Sequence, residues 1–231
     1  MKTVAIIPAG GKGARSGAAA PKQYLKFFGK ELIVYTLEVF QQNKHIDEII
    51  IAAESNFLEL LEKLKNEYKL TKISKIVEGG EDRQDSVYNA LKSSEANEDD
   101  LIVVHDAARP LLPQDVLTNA IETAKQKGNA LVCIKAKDTL IKGNRVVESY
   151  LDRDEVYYVQ TPQIFPYPVL MKAMKNACEN NFIGTDESML VRRIDEKVNI
   201  VDGSVFNFKI TTAEDIEMFE RMALGRQEEQ Q

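Results

Sequence analysis

The sequence predicts an α/β protein, a three-layer sandwich built on a doubly wound, mostly parallel sheet. Apolar runs alternate along the chain with segments of helical periodicity. The runs are continuously apolar, which is typical of strands that are buried on both faces of a parallel sheet. We predict strands at 3–7, 48–53, 73–77, 101–105, 130–134 and 198–202. We predict helices at 31–42, 55–68, 84–94, 114–127, 168–180, 186–193 and 212–224.

The predicted helices have apolar faces and recognisable ends. In 31–42 apolar residues recur at helical spacing, which indicates one buried face. Pro113 precedes the helix at 114–127, and Gly128 follows it at the position where helices commonly end. In a doubly wound sheet ligands bind beyond the carboxyl ends of the strands, so a site is expected in the loops that follow them.

Length and composition indicate one globular domain, which we expect to span residues 1–231. With 44% hydrophobic and 29% charged residues, the composition is that of an ordinary globular protein. A net charge of −6 disfavours a general nucleic-acid binder. No apolar run approaches the roughly 20 residues that span a bilayer, and no signal-peptide pattern is evident. We therefore expect no nucleic-acid or membrane partner and a cytoplasmic location.

The few cysteines and histidines limit the redox and metal chemistry. Cys133 and Cys178 have no metal-ligand spacing, and we expect both to be reduced core residues, as in the cytoplasm. His45 and His105 are the two histidines of the sequence, which excludes a multi-histidine metal site.

Residues 136–160 interrupt the alternation of strands and helices. Strand-forming residues flank the turn pair Gly143-Asn144, which predicts a protruding β-hairpin where a crossover helix would otherwise stand. A two-stranded ribbon is marginal alone, so it should pack on something, most simply a second subunit. A decorative surface hairpin is the alternative.

The first predicted strand leads into a turn, the glycine turn (residues 8–15), that is rich in glycine and cations. It and the residues just after it contain Gly10, Gly11, Lys12, Gly13, Arg15 and Lys22. Glycines let backbone N–H groups approach a ligand, and the cations suit a polyphosphate. The spacing fits neither the Walker A loop nor the dinucleotide fingerprint. An ordinary strand-to-helix turn remains the alternative.

A second cluster follows the strand at 101–105. Asp106 stands at the carboxyl end of this strand and could hold Mg²⁺ against phosphate oxygens. Ala107 and Ala108 leave room for a ligand, and Arg109 offers a planar fork for a phosphate. Alternatively, Asp106 caps the next turn and Arg109 pairs with it on the surface. We interpret His105 as a packed strand residue rather than a catalytic base.

A third cluster, the second glycine loop (residues 79–86), follows the strand at 73–77. Gly79 and Gly80 expose backbone groups that can read the edge of a base. Asp85 or Ser86 could equally be a helix N-cap. The sequence has no nucleophile signature such as a Gly-x-Ser-x-Gly elbow. Cations, one metal-binding carboxylate and backbone donors suit transfer between phosphates by positioning and charge neutralisation.

Six motifs in chain order resemble the 2-C-methyl-D-erythritol 4-phosphate cytidylyltransferase family of the non-mevalonate isoprenoid pathway. They are 8–15, 21–25, 79–86, 105–110, 161–163 and 185–187. The resemblance covers about residues 2–224 and implies a Rossmann-like nucleotidyltransferase fold. The implied reaction joins CTP and methylerythritol 4-phosphate and releases pyrophosphate. The family's homodimer exchanges a hairpin arm, which would correspond here to about residues 136–158 (the arm) and matches the orphan hairpin.

The resemblance also implies roles for individual residues. Arg15 and Lys22 would stabilise the transition state, and Arg153 and Lys209 would hold the methylerythritol phosphate. CTP would be bound by Ala9, Gly10, Gly11, Lys12, Gly13, Gly80, Glu81 and Ser86. Asp106 would bind Mg²⁺ and approach the ribose, beside Ala107 and Ala108. The substrate pocket would include Arg109, Thr139, Thr161 and Thr185. Glu81 departs from the family's usual aspartate.

Three other functions are weighed against this one. A ribitol-5-phosphate or related polyol-phosphate cytidylyltransferase shares the glycine turn, the Asp106 cluster and the arm. A nucleotide-binding regulator without turnover is disfavoured, because it would not need to stabilise a transition state with Arg15, Lys22, Arg153 and Lys209. A NAD-linked oxidoreductase is disfavoured because the third glycine of its fingerprint is missing.

Overall fold

A computed structural model of the chain describes residues 1–11 and 21–228. Its strands are β1 Thr3–Pro8, β2 Lys26–Phe27, β3 Lys30–Glu31, β4 Glu48–Ala53, β5 Ile73–Glu78, β6 Leu101–Val104, β7 Ala130–Lys135, β8 Leu140–Gly143, β9 Val147–Leu151, β10 Tyr157–Pro166 and β11 Ile200–Asp202. Its helices are α1 Leu32–Gln42, α2 Leu58–Glu67, α3 Arg83–Ser93, α4 Gln114–Lys127, α5 Tyr167–Glu179, α6 Glu187–Arg193 and α7 Ala213–Glu228.

Seven strands form the central sheet in the order β11-β7-β10-β6-β1-β4-β5. β5, β4, β1 and β6 are parallel neighbours, and β7 is parallel to β11. Between β6 and β7 lies β10, which is antiparallel to both. The prediction of a mostly parallel, doubly wound sheet is confirmed.

Helices cover both faces of the sheet because alternate residues of its strands point in opposite directions. Ile7 and Ile51 belong to the core cluster under α1, α2 and α4. Ile6 and Ile50 belong to the cluster under α3, α5 and α6. Both clusters are fully buried, which explains why the strands read as continuous apolar runs. A third, smaller cluster holds Phe219 of α7 against the loops around β2.

One strand of the sheet, β10, was not predicted. Its sequence contains Pro162, and proline normally argues against a strand that is hydrogen-bonded on both sides. The structure accommodates it because the pairing with β7 is irregular between Val159 and Gln163. By running antiparallel, β10 returns the chain to the sheet without a crossover helix.

The predicted hairpin is confirmed as β8 and β9, which pair with each other as a separate two-stranded sheet. The turn differs from the prediction. Gly143 ends β8 and pairs with Val147, and the loop is 144–146, with the positive φ at Arg145 (65°). A Cβ at position 143 would overlap the Val146 carbonyl oxygen, so glycine is required there for close approach rather than for φ.

The cysteine prediction is half right. Cys133 is free and buried in β7, whereas Cys178 is free and exposed on α5, because it falls on the face of that helix away from the sheet.

The helix predicted at 55–68 begins later than expected. A 3-10 turn at Ser55–Phe57 precedes α2, which starts at Leu58. Within residues 1–11 and 21–228, no helix has the length and apolar character needed to cross a membrane.

Gly128 ends α4 in the left-handed region, with φ 91° and open space around the position of a Cβ. Gly128→Ala should lower the free energy of unfolding by about 1 kcal/mol, because only the backbone conformation is penalised. Gly225→Ala is the matched control, since that glycine lies inside α7 with equally open space. It should leave stability unchanged or raise it by about 0.5–1 kcal/mol. Urea unfolding checks both, and a Gly128→Ala protein as stable as the original would contradict the assignment.

Candidate active site

The loops that follow β1, β5 and β6 lie at one edge of the sheet. These strands, with β4, are parallel, so their carboxyl ends point the same way. This edge therefore carries the beginning of the glycine turn, the second glycine loop and the Asp106 cluster. The three clusters predicted from the sequence are brought to the same side of the molecule.

Two buried side chains anchor the start of the glycine turn. Gln23 Nε2 donates to the carbonyl oxygens of Ala9 (2.7 Å) and Gly11 (3.0 Å). The Tyr24 hydroxyl donates to the Ala9 oxygen (3.1 Å), and burial, with the charge of Glu54, raises the pKa of Tyr24 so that it stays protonated. Neither residue was assigned a role from the sequence, although both stand in the motif at 21–25. These hydrogen bonds fix the backbone at the start of the glycine turn.

The residues described by the structure include only part of the predicted CTP-binding segment. Gly10 and Gly11 follow β1, and Lys22 begins a short 3-10 turn, Lys22–Tyr24. Lys12, Gly13 and Arg15 lie outside the described residues, so their predicted roles stay predictions.

The second glycine loop is held together by the Ser86 hydroxyl. This hydroxyl accepts from the Gly80 N–H (3.1 Å) and donates to the Asp82 carbonyl oxygen (2.8 Å). A Cβ at position 80 would overlap the side chain of Asp85, so glycine is required there. A Cβ on Gly10 would lie 3.4 Å from Ser86 Oγ, so the two glycine segments meet at this serine.

The N-cap of α3 is Asp82, rather than Asp85 or Ser86. Its Oδ1 accepts from the Asp85 N–H (2.8 Å), which satisfies one of the free donors of the first helical turn. Ser86 is therefore free to bind the loop, and Glu81, the predicted base contact, is exposed at its tip.

Asp106 is the centre of the site. It is 7% exposed, and three cations surround its carboxylate. Arg83 Nε lies 3.0 Å from Oδ1, while Arg109 Nε (3.3 Å) and Lys209 Nζ (3.0 Å) approach Oδ2. Burial alone would raise the pKa of Asp106, but these cations outweigh it and hold the pKa well below its usual range. The carboxylate is charged at any physiological pH.

Arg83 also binds a second buried carboxylate. Its Nη1 and Nη2 donate to Glu187 Oε1 (2.7 Å) and Oε2 (3.0 Å), and Glu187 is 1% exposed. Although burial opposes it, the pair of carboxylates raises the pKa of Arg83 further above its ordinary value. Neither Arg83 nor Glu187 was assigned a role from the sequence. Their positions in two quoted motifs were the available signal.

A buried hydrogen-bond chain fixes the backbone of Asp106. The Asp106 N–H donates to Thr161 Oγ1 (3.1 Å), and that hydroxyl donates to His105 Nδ1 (3.0 Å). His105 Nε2 donates to the Arg109 carbonyl oxygen (3.2 Å), which sets the tautomer. His105 is fully buried, and this burial lowers its pKa to about 4. As predicted, it is a packed residue, and it is neutral at pH 7.

Arg109 is buried rather than on the surface. Its Nη1 donates to the Asn207 carbonyl oxygen (2.7 Å), and Asn207 Nδ2 donates to the Thr161 carbonyl oxygen (2.7 Å). Burial lowers the pKa of Arg109, although the neighbouring Asp106 carboxylate acts in the opposite direction. Ala107 and Ala108, in the same loop, are buried at 5% exposure each. The predicted phosphate contact of Arg109 stays a prediction.

The remaining predicted site residues, Thr139, Arg153 and Thr185, are exposed. Thr139 precedes β8, and Arg153 follows β9, so they flank the hairpin at either end. Arg153 Nη1 donates to the Lys137 carbonyl oxygen (3.4 Å). Thr185 is exposed two residues before Glu187. The structure brings together Asp106, Arg109, Thr161 and Lys209, and it leaves Thr139 and Arg153 with the arm.

No group of three or more His, Cys, Asp or Glu side chains in the described part of the chain could hold a metal ion by itself.

Nearly the whole chain matches a known family and solved structures. The family model described as IspD, 2-C-methyl-D-erythritol 4-phosphate cytidylyltransferase, matches residues 3–223. The protein of that name from Lysinibacillus sphaericus (strain C3-41) is 38% identical over 217 residues, which are 94% of this chain and 93% of that protein. The crystal structure of the Francisella tularensis 2-C-methyl-D-erythritol 4-phosphate cytidylyltransferase has 33% identity and a TM-score of 0.79 over 94% of this chain and 98% of that one. The 4-diphosphocytidyl-2C-methyl-D-erythritol synthase from Anaerococcus prevotii DSM 20548 has 28% identity and a TM-score of 0.84, covering 96% of both chains.

The buried, neutral His105 predicts a loss of stability in mild acid. Its pKa of about 4 lies below the 6.5 of an ordinary histidine, so the unfolded chain binds the proton first as pH falls. This contribution to stability is complete above about pH 6.5 and is lost towards pH 4. Between pH 7 and pH 5 the loss should be about 2 kcal/mol. His105→Gln removes the titration, so urea unfolding of the variant should show a correspondingly smaller drop over this range. Equal drops in both proteins would contradict the assignment.

Proposed function

This chain belongs to the 2-C-methyl-D-erythritol 4-phosphate cytidylyltransferase family, and we infer from this that it transfers the cytidylyl group of CTP to 2-C-methyl-D-erythritol 4-phosphate. The substrate phosphate attacks the α-phosphorus of CTP, the bond to the β-phosphate breaks, and pyrophosphate leaves. The product is 4-diphosphocytidyl-2-C-methyl-D-erythritol. The observation that carries this function is the cationic cluster at Asp106, which lies at the same sheet edge as both glycine segments.

The residues of this site suit the reaction because they can bind the cytosine base and neutralise the charge of the phosphates. We propose that Gly80, Glu81 and Ser86 read the cytosine together with Ala9 and Gly10. The hydrogen bond of Ser86 Oγ to the Gly80 N–H supports this, because it gives the loop one fixed shape. A preorganised loop can select a small pyrimidine with its backbone groups without reordering on binding.

The cations are proposed to act on the phosphates. Lys209 Nζ is paired with Asp106, but the Lys209 side chain is 39% exposed, so it can reach an incoming anion. The methylerythritol phosphate would contact Lys209 and Arg153, and Arg15 and Lys22 would act on the α-phosphate in the transition state. Such charge stabilisation is commonly worth a factor of about 10²–10³ in rate per group.

Mg²⁺ is the proposed cofactor, and the residues present fit it only in combination with CTP. A carboxylate has about four lone-pair sites, and Asp106 uses three of them for Arg83, Arg109 and Lys209. One site remains on Oδ1. Mg²⁺ is usually held by one or two carboxylates, substrate phosphates and water. When bound, it would supply charge neutralisation for the triphosphate.

We also propose that the chain acts as one catalytic domain in a homodimer, with residues 136–158 as an exchanged arm. Every residue from 141 to 151 is exposed, including Ile141 (52%), Val146 (75%) and Tyr150 (72%). Exposed apolar side chains on a two-stranded ribbon favour a protein partner. Because Arg153 and Thr139 flank this ribbon, the exchange would bring them to the partner's site. The free cysteines are compatible with the proposed cytoplasmic location.

The function is tested by pyrophosphate release from CTP with a panel of polyol phosphates. We expect turnover with methylerythritol 4-phosphate and kcat/KM at least about 10-fold lower with ribitol 5-phosphate, since pockets that bind hydroxyls discriminate to this extent or more. Lys209→Ala should lower kcat/KM by about 10², and exposed Lys197→Ala should not. Turnover with ribitol 5-phosphate alone would establish the alternative function, and no turnover would favour a binding protein.

The exchanged arm is tested by mixing two inactive subunits. Arg153→Ala and Lys22→Ala variants should each have little activity, and purified heterodimers should recover up to about half of the wild-type rate, since one of the two shared sites is then intact. The measurement is activity after co-refolding, with heterodimers purified by two different tags. Purified heterodimers without activity would mean that both residues serve the same chain's site.

A further inference from the structure

Glu187 is a buried carboxylate that the proposed reaction does not use. It begins α6, and both of its oxygens accept hydrogen bonds from Arg83 (2.7 and 3.0 Å). The third donor of the same guanidinium, Nε, lies 3.0 Å from Asp106 Oδ1. One planar cation therefore joins two carboxylates that stand 81 positions apart in the sequence.

The residue after Arg83 holds the same neighbouring segment. Gln84 Nε2 donates to the Phe182 carbonyl oxygen (3.1 Å), and Gln84 Oε1 accepts from the Gly184 N–H (2.9 Å). The side chains of Arg83 and Gln84, at the start of α3, thus both bind the segment 182–187. This segment includes Thr185, which is predicted to line the substrate pocket.

We propose that Glu187 is a positioning residue for Asp106 and that it acts through Arg83. The proposal rests on the proposed cytidylyl transfer. A guanidinium presents its donors in a rigid fork, so the two bonds to Glu187 fix the plane of Arg83. With that plane fixed, Arg83 offers Asp106 a single donor.

The charge of Glu187 has a second consequence. Because Glu187 is charged, the hydrogen-bond donors of Arg83 are divided between two carboxylates, and Asp106 receives one of them. Without Glu187, Arg83 would turn two donors towards Asp106 and occupy the last lone-pair site of its carboxylate. Asp106 would then have none left for the substrate or for a metal.

A double-mutant cycle with Glu187→Gln and Arg83→Gln tests the proposal. Glu187→Gln should lower kcat about 10-fold, while the KM for CTP changes less than about threefold, because the Ser86 hydrogen bonds that shape the second glycine loop do not involve Glu187. Arg83→Gln should lower kcat by a similar factor, and adding Glu187→Gln to it should change kcat by less than about twofold, since the effect of Glu187 passes through Arg83. Glu196→Gln, an exposed glutamate in the same region, is the control and should match the wild type.

Each outcome decides the proposal. Independent losses that multiply to about 100-fold in the double variant would overturn it, as would wild-type activity in Glu187→Gln. Thermal unfolding shows whether each variant is folded, and if Arg83→Gln is not, Arg83→Lys takes its place in the cycle, because lysine keeps the charge without the planar fork. Absent wild-type turnover would overturn the proposed function and this proposal with it, whereas wild-type turnover that Glu187→Gln does not change would overturn this proposal alone.

Discussion

The ion-pair cluster at Asp106 is the interaction on which the candidate site depends. A buried carboxylate is costly unless it is paired and hydrogen-bonded, and here three cations compensate for its burial. Arg83 begins α3, Arg109 follows β6, and Lys209 precedes α7. These segments meet because the parallel strands end at one edge of the sheet. The cluster therefore links the position of these loops to the order of the strands.

Most of the fold could be predicted because the sheet is buried on both faces. Ile6 and Ile7, or Ile50 and Ile51, serve different core clusters, so neighbouring residues must all be apolar. The strand β10 could not be predicted in this way. Its departure from regular pairing around Thr161 is stabilised by contacts to His105 and Asn207 that are distant in sequence. Local propensity carries no information about such contacts.

The candidate site was predictable where a motif follows a strand, as at Asp106, and not where a residue acts through another. Glu187 at the start of a helix is favoured by the helix dipole alone, so its position did not indicate a functional pair. Its partner Arg83 is 104 positions away. Gln23 was likewise overlooked, because an amide that binds the carbonyl of Ala9 leaves no periodic or charge pattern in the sequence.

The three cations at Asp106 differ in their other hydrogen-bond partners and in their exposure, and this difference supports different roles for them. Arg83 has Glu187 and Arg109 has the Asn207 carbonyl oxygen as second partners, and both side chains are largely buried. Lys209 is the most exposed of the three, and its ammonium has donors to spare for a phosphate. The protein carries a net charge of −6, but dissolved salt at about 0.1 M screens exposed charges beyond about 10 Å, so an anion near Asp106 responds to the local cations. The arginines are thus held within the protein by their second partners, and the proposed phosphate contact falls to Lys209, the cation that could transfer its bond from carboxylate to substrate.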